Sequence, residues 1–462
     1  MKKKFSFAFV LVIQIILVHG VKASDCINFP DPIQDGVTAQ SSYEFEQDGD
    51  VKTISALAGL TVRRALLRDG KFYVLAVDAS KVPQLLIINP ETGSRIREMS
   101  IKGLNADVIT VNGTARTHHH ILSDIAFTAD GVLIGANSTS VGNTGNGNQT
   151  GSFYMYKWEA DDADPETLLT LPTDNVASVF PSGNNNSNFM ANSIAVSGCS
   201  DDFKFFFDSH PGRDWTTSYG IRIVCWEVQD GARANVRYND TKYNTVTHNG
   251  EKFSLNVSPL GDDRWILSGG NILPTEILFN WDNPAEGIAT NGPSYTDFSE
   301  DLPDGASGAS YFKYAGKIYM SAPVYESSAY SVYLFDITGG FDAAKKIGEI
   351  KSGITGGPNY VTSPVVVDDA DMSVYLLVGD KLVKYSTDLG TGILKTSGKK
   401  SIQAIRTSSG IEIKLDGPSK IELYGVSGQL IDKAIASGTY SRNLANGVYI
   451  VRVNGEVVKF VK

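Results

Sequence analysis

Thr61-Val62-Arg63-Arg64-Ala65-Leu66-Leu67-Arg68-Asp69-Gly70-Lys71-Phe72-Tyr73-Val74-Leu75-Ala76-Val77 is an alternating, largely apolar run, an Asp-Gly pair, and a second run rich in β-branched and aromatic residues. An Asp-Gly pair between two such runs is a hairpin signal, because the tight turn needs φ > 0. The unit recurs. First runs begin near Thr61, Ser123, Asn192, Phe253, Ser310 and Ser363. Second runs follow at Phe72, Val132, Phe203, Trp265, Ile318 and Val374, after tight turns such as Asp130-Gly131 and Asp262-Asp263. Third runs end in a bulky residue, at Ile88, Trp158, Trp226, Trp281, Phe335 and Tyr385, with successive spacings of 70, 68, 55, 54 and 50. Known propeller repeats run roughly 40–50 residues, so the pattern predicts an all-β chain: a β-propeller of about six four-stranded blades lengthened by loops. A pair of β-sandwich domains is the alternative.

Fourth strands are expected at Ile96 to Ile101, Leu168 to Leu171, Ala234 to Tyr238 and Lys346 to Ile350. The sixth repeat lacks one, and Val51 to Leu57, just before the first repeat, is expected to close the ring by completing the last blade. The chain then divides into residues 1–23 as a signal peptide, 24–50 as an N-terminal extension, 51–389 as the propeller, 390–401 as a linker and 402–462 as a small antiparallel β-sandwich.

The signal peptide is read from Lys2-Lys3-Lys4, the apolar run Phe5 to Val18 and Val21-Lys22-Ala23, with cleavage after Ala23. That run is shorter than the roughly 20 residues of a membrane span, and no other segment qualifies, so the mature chain is expected to carry no transmembrane segment. The expected location is extracellular or at the outer cell surface, with the periplasm as the alternative. Formal net charge is −10, yet residues 398–462 hold ten basic and five acidic residues. The acidic body argues against nucleic acid as a partner, since such binding rests on neutralising phosphates. Three cysteines in an exported chain invite a disulfide, and Cys199 with Cys225 is the expected pair.

The last 60 residues change character, with short alternating runs at Gly410 to Leu415, Ile421 to Tyr424, Leu430 to Ala434, Gly447 to Val453 and Val457 to Lys462. Tyr424-Gly425-Val426-Ser427-Gly428-Gln429-Leu430, Leu444-Ala445-Asn446-Gly447-Val448-Tyr449-Ile450-Val451 and the basic end at Lys459 and Lys462 resemble the C-terminal sorting domains of the type IX (Por) secretion system. The resemblance implies export across an outer membrane. Such domains commonly open with Asn-Pro, whereas the corresponding stretch here is Ala404-Ile405-Arg406-Thr407-Ser408-Ser409. The body resembles secreted bacterial β-propeller proteins.

In a four-stranded blade the connections between strands one and two, and between three and four, share one face, and here they are tight. The opposite face receives long insertions, among them Asn105 to His120, Asn137 to Ser152, Thr173 to Met190 and Gly287 to Gly308, and long loops are where function concentrates. His210-Pro211-Gly212-Arg213-Asp214-Trp215 is the most ligand-like of these loops: His210, Arg213, Asp214 and Trp215 combine a planar donor, a carboxylate and an aromatic platform suited to a glycan or peptide. The histidines on the same face, His118, His119, His120 and His248, are candidate transition-metal ligands beside Asp124, Glu276, Asp301 and Asp304, with solvated loop side chains as the plainer reading. The acidic turns Glu159 to Asp164 and Asp368 to Asp371 suggest Ca²⁺ or, without a calcium-loop spacing, simple hairpin turns. No catalytic signature is present and no cofactor is identified. The expected role is a monomeric, non-enzymatic binding module for a glycan, peptide or partner protein; the alternatives are a propeller hydrolase or lyase acting on polysaccharide and a structural adhesion component.

Overall fold

The computed structural model describes residues 45–105, 108–111, 114–117, 120–141, 152–172, 188–211, 222–240, 255–259, 264–269, 272–278, 294–298, 308–314, 317–326, 328–355, 364–369, 372–387, 403–406, 410–425, 429–445, 447–453 and 456–461. Up to residue 387 these residues are almost wholly antiparallel strands, arranged as consecutive four-stranded units. The first sheet runs Thr61–Arg68, Lys71–Val77, Pro83–Ile88 and Arg95–Met99, each strand paired to its predecessor. The second sheet starts at His120–Phe127 and the third at Asn188–Cys199. They join where Thr139, Ser140 and Val141 pair with Met190, Phe189 and Asn188. The fourth starts at Leu255–Pro259 and the fifth at Ser310–Tyr314.

The sixth sheet holds Val365–Asp368, Ser373–Val378 and Lys381–Thr387, and the start of the chain completes it. Phe45–Gln47 pairs antiparallel with Tyr385 to Thr387, and Lys52–Thr53 with Lys381 and Leu382. The closing strand therefore comes from the expected stretch but begins earlier; Ser55–Leu57 is a short 3₁₀ turn. Phe45 lies against Gly348 of the fifth sheet, where a Cβ would have no room. The fourth sheet also has a fourth strand, Ser294–Asp297, inside a stretch read from sequence as a loop. A small hairpin, Val108–Val111 with Thr114–Thr117, occupies the connection between the first two sheets.

Apolar faces of neighbouring sheets pack on each other. Leu75, Leu85 and Ile87 meet Ile125, Leu133 and Trp158 between the first and second sheets. Phe153 and Met155 meet Phe205, Phe207 and Trp226 between the second and third. Ile266 joins Met320 and Phe335 between the fourth and fifth, Val332 and Leu334 join Val374 and Leu376 between the fifth and sixth, and Tyr375 and Leu377 join Phe72 and Leu86 between the sixth and the first. The first strands of the third and fourth sheets also run side by side. This succession of sheet-on-sheet contacts, returning from the last sheet to the first, is a β-propeller arrangement.

Tight turns add polar clamps between neighbours. Asp161, in the turn joining the last two strands of the second sheet, takes Lys71 Nζ at 3.0 Å and the Tyr73 hydroxyl at 2.9 Å from the first sheet. Asp162 faces Arg97 at 3.5 Å, and Asp164 accepts from Ser100 Oγ at 2.6 Å. Glu91, in the matching turn of the first sheet, reaches Tyr375 and Lys384 of the sixth at 3.2 Å each. The acidic run 159–164 thus serves as an inter-sheet contact, with its carboxylates turned to different partners.

The Cys199–Cys225 bridge is not made. Cys199 ends the first strand of the third sheet and Cys225 lies on its third strand, opposite Phe206, so a whole strand separates them. Cys199 is disulfide-bonded and Cys225, buried in the sheet, is not its partner.

Near the end of the chain five antiparallel strands form a separate sheet around Ile411, Ile413, Ile421, Leu423, Val451 and Val453. The long hairpin of Gly410–Gly425 and Leu430–Asn443 folds over on itself, with register breaks between Leu415 and Ser419 and positive φ at Gly438. Tyr440 consequently donates to Asp432 at 2.8 Å although both stand on one strand. Among the described residues no helix is long and apolar enough to cross a membrane.

Candidate functional site

Five of the first strands pair with one neighbouring strand only, and the third sheet's, Asn188–Cys199, pairs on a second side just over Asn188 to Met190. Consecutive residues of all six, Arg64–Leu67, Ile125–Phe127, Ile194–Val196, Asn256–Pro259, Ser310–Lys313 and Val365–Val367, line one cavity of about 540 Å³. Asp369, in the turn after the sixth of these strands, is also in the wall. The cavity is bounded by the turn-side halves of the strands, so it belongs to the face of tight turns. The long-loop connections begin at the other ends of the same strands.

At that inner end a polar cluster ties the strands together. Asp124, fully buried, accepts Arg64 Nε at 2.7 Å and Arg64 Nη2 at 2.5 Å, and it also accepts the backbone N–H groups of Ile125 at 2.9 Å and Ile194 at 2.8 Å. Arg64 further reaches Ser193 Oγ at 3.3 Å and Asn256 Oδ1 at 3.4 Å, while Asn256 Nδ2 donates to the Ala309 carbonyl at 2.9 Å. Arg63, 4% exposed, donates to the Ser123 carbonyl at 2.6 Å, to His120 Nε2 at 2.9 Å and to Asn192 Oδ1 at 2.9 Å. Four of the six first strands, and Ala309 just before the fifth, are thereby linked through side chains, which satisfies polar groups that would otherwise be buried without partners.

Burial pushes the Arg63 guanidinium down to about 10, with the Asp124 charge opposing and the Arg64 charge adding to the fall. For Arg64 the same burial is outweighed by the charge and hydrogen bonds of Asp124, and its value stands above the ordinary one. Burial also pushes the Tyr311 phenol up, so it stays protonated at neutral pH.

Two neighbouring arginines enter one cluster because the strand carries a bulge. Pairing shifts between Val62 and Arg64, so both side chains turn toward the centre instead of to opposite faces. Equivalent shifts occur between Ala136 and Ser138, opposite the residues around Ser123, and between Met190 and Ile194. Within the last of these, Ala191 is fully buried with φ of 58°, a conformation an alanine adopts at a cost of order 1–3 kcal/mol.

Of the residues singled out by sequence, His120 and Asp124 enter this cluster. Arginine can only donate, so His120 Nε2 must accept and its ring proton sits on Nδ1. Its Nε2 is thus occupied by Arg63. Asp124 is an ion-pair partner and not a rim carboxylate. His210 pairs in register with Phe189 at the end of its strand, and Glu276 lies mid-strand opposite Ile266 and Thr296. His118, His119, Arg213, Asp214, Trp215, His248, Asp301 and Asp304 lie outside the described residues. Among the described residues no group of three or more His, Cys, Asp and Glu side chains converges as metal ligands do. Arg63, Arg64, Asn192, Asn256 and Tyr311 were not expected, although the Arg-Arg pair within an otherwise apolar strand was visible as a signal.

No family model matches the chain, and no curated protein matches it. Solved structures that resemble it include a DUF4623 family protein from Bacteroides eggerthii DSM 20697, at 14% identity and a TM-score of 0.49, covering 74% of this chain and 76% of that one. A Hadza microbial sialidase is 9% identical with a TM-score of 0.40, over 71% of this chain and 65% of its own. A Trypanosoma rangeli sialidase in complex with sialic acid is 8% identical with a TM-score of 0.42, over 93% and 87% of the two chains. No residue of the site is assigned from these likenesses.

Proposed function

We propose that the chain is an exported six-bladed β-propeller that binds a glycan without cleaving it, followed by a β-sandwich of the type IX sorting kind. The observation that carries the binding reading is the single cavity shared by all six first strands. Its volume, about 540 Å³, lies within the roughly 300–1,000 Å³ of small-molecule sites. Its wall brings polar residues such as Arg64, Asn256, Ser258 and Lys313 together with apolar ones such as Phe127, Val257 and Val366, a mixture that suits the hydroxyls and carbon faces of sugars.

The carboxylates argue for binding over hydrolysis. Glycoside hydrolysis by the common route needs two carboxyl groups flanking the bond. Among the described residues Asp369 is the one carboxylate in the wall, and Asp124 has both oxygens taken by Arg64 and two backbone amides. Tyr311, as a protonated phenol, is a poor nucleophile. Export rests on the signal-like N-terminus and the sorting-like C-terminus in the sequence.

The test is a glycan and peptide array probed with the mature protein, followed by mass spectrometry of each captured glycan after prolonged incubation. Saturable capture of glycans that are recovered intact is the expected result. Cleavage products overturn the non-enzymatic reading, and capture of peptides alone overturns the glycan reading.

A further inference from the structure

Resting on the glycan-binding reading, we propose that the cavity floor selects sugars bearing a carboxylate, taken by the open edge of the Arg64 guanidinium. Arg64 has five N–H groups. Nε and Nη2 hold Asp124 at 2.7 and 2.5 Å, and Nη2 has one further contact, at 3.3 Å, to Ser193 Oγ. On Nη1 the contact is to Asn256 Oδ1, at 3.4 Å, and Nη2 shares it at the same distance. That is long for a charge-assisted bond, which normally falls near 2.7–2.9 Å. The Nη1 edge is therefore under-used at the place where Arg64 and Asn256 both line the cavity.

The second observation is the local charge. Arg63 hydrogen-bonds only neutral acceptors, the Ser123 and Asn192 carbonyls, Asn192 Oδ1 and His120 Nε2. Among the described residues Asp124 is the one carboxylate in hydrogen-bond contact with Arg64, and Asp208, fully buried one strand further out, accepts from the Ser193 N–H at 3.0 Å and adds a second negative charge near Arg63. Lys313 and Asp369 line the same cavity with opposite charges, so a ligand carboxylate would be taken by the hydrogen bond at the Nη1 edge and not by a surplus of positive charge.

The third is the backbone. The bulges in the first three sheets stand at one level and place Arg63, Arg64, Ser123, Asp124, Asn192 and Ser193 together, with the strained Ala191 among them. Bulges and strain of this kind re-aim side chains at binding sites and are retained where the surroundings enforce them. A ligand carboxylate approaching from the turn side would give Nη1 a short charge-assisted bond and would leave the Asp124 pair in place. One such bond favours the acid over its neutral counterpart by about tenfold or more.

The test uses an array of uronate-containing glycans printed beside their carboxyl-reduced counterparts, probed with the mature protein at low and high salt. Binding at least tenfold stronger to the acids, with the advantage shrinking at high salt, is the expected result. Asn256→Asp puts a carboxylate against Nη1, so in that variant the ratio of acid to neutral binding should fall toward one. Equal binding of acids and neutral forms by the wild type overturns this proposal and leaves glycan binding standing. Capture of neither kind overturns both.

Discussion

Asp124→Asn tests the polar cluster most sharply. The substitution keeps size and shape, yet an amide has one acceptor oxygen where the carboxylate has two. In the wild type one oxygen accepts Arg64 Nε and the Ile125 N–H, and the other accepts Arg64 Nη2 and the Ile194 N–H. Whichever way the asparagine turns, its NH₂ group meets two donors, and the Arg64 cation loses its carboxylate in a site where the Asp124 side chain has no exposure and that of Arg64 has 11%. Removing one partner of a buried ion pair costs about 3–5 kcal/mol. Urea unfolding of the mature protein followed by tryptophan fluorescence should show that loss as a lower midpoint. Asp124→Leu combined with Arg64→Met should lose less than the sum of the two single changes, by about 2 kcal/mol or more, because no charge is left behind. A loss under about 1 kcal/mol for Asp124→Asn, or additive losses in the cycle, would refute the reasoning that the pair is dry and mutually dependent.

Three further outcomes follow from the same contacts. Asp161→Ala removes the acceptor for Lys71 and Tyr73, but these groups are partly exposed, so the cost should stay near 1 kcal/mol by urea unfolding; a cost above about 3 kcal/mol would mean the turn is a principal clamp. Deleting residues 45–53 strips the closing strands from Lys381–Thr387 and should yield a protein that self-associates in sedimentation velocity; a stable monomer would show that the closure is dispensable. The Asp336 carboxyl is held below its ordinary value of 3.8, burial being outweighed by hydrogen bonds from Thr338 and Lys317. Its folded value being depressed, its stabilisation is complete above the unfolded value and is lost as pH falls below it. Asp336→Asn should therefore flatten the fall in urea midpoint as pH drops below the ordinary value of 3.8, and an unchanged slope would exclude that role.

The parts legible in the sequence are those that depend on local chemistry. Asp69-Gly70 forms the expected turn with φ of 50° and 69°, and the bulky ends of the third runs, Trp158, Trp226, Phe335 and Tyr385, are buried between sheets. The fourth strands at Arg95–Met99, Glu166–Pro172, Ala232–Asp240 and Lys345–Thr355 fall close to their predicted places. What depends on register was not legible. The closing strand pairs through Phe45 to Gln47, a short stretch recognisable only once Tyr385 to Thr387 is in place as its partner. The Cys199–Cys225 pairing failed for the same reason, since strand order decides which residues are neighbours and an intervening strand keeps these two apart. Arg63 and Arg64 looked like an alternating pair; a one-residue bulge, set by cross-strand pairing, turns both toward the channel. Sequence placed the binding surface on the long-loop face, whereas the cavity built by the described strands lies on the turn side.

Titration calorimetry with the array's strongest glycan, comparing wild type with Tyr311→Ala in the cavity and Trp215→Ala in the long-loop stretch, decides between those two faces. Binding weakened at least tenfold by Tyr311→Ala and less than twofold by Trp215→Ala is the predicted result. The opposite pattern would contradict the central claim that the six first strands together build the binding site.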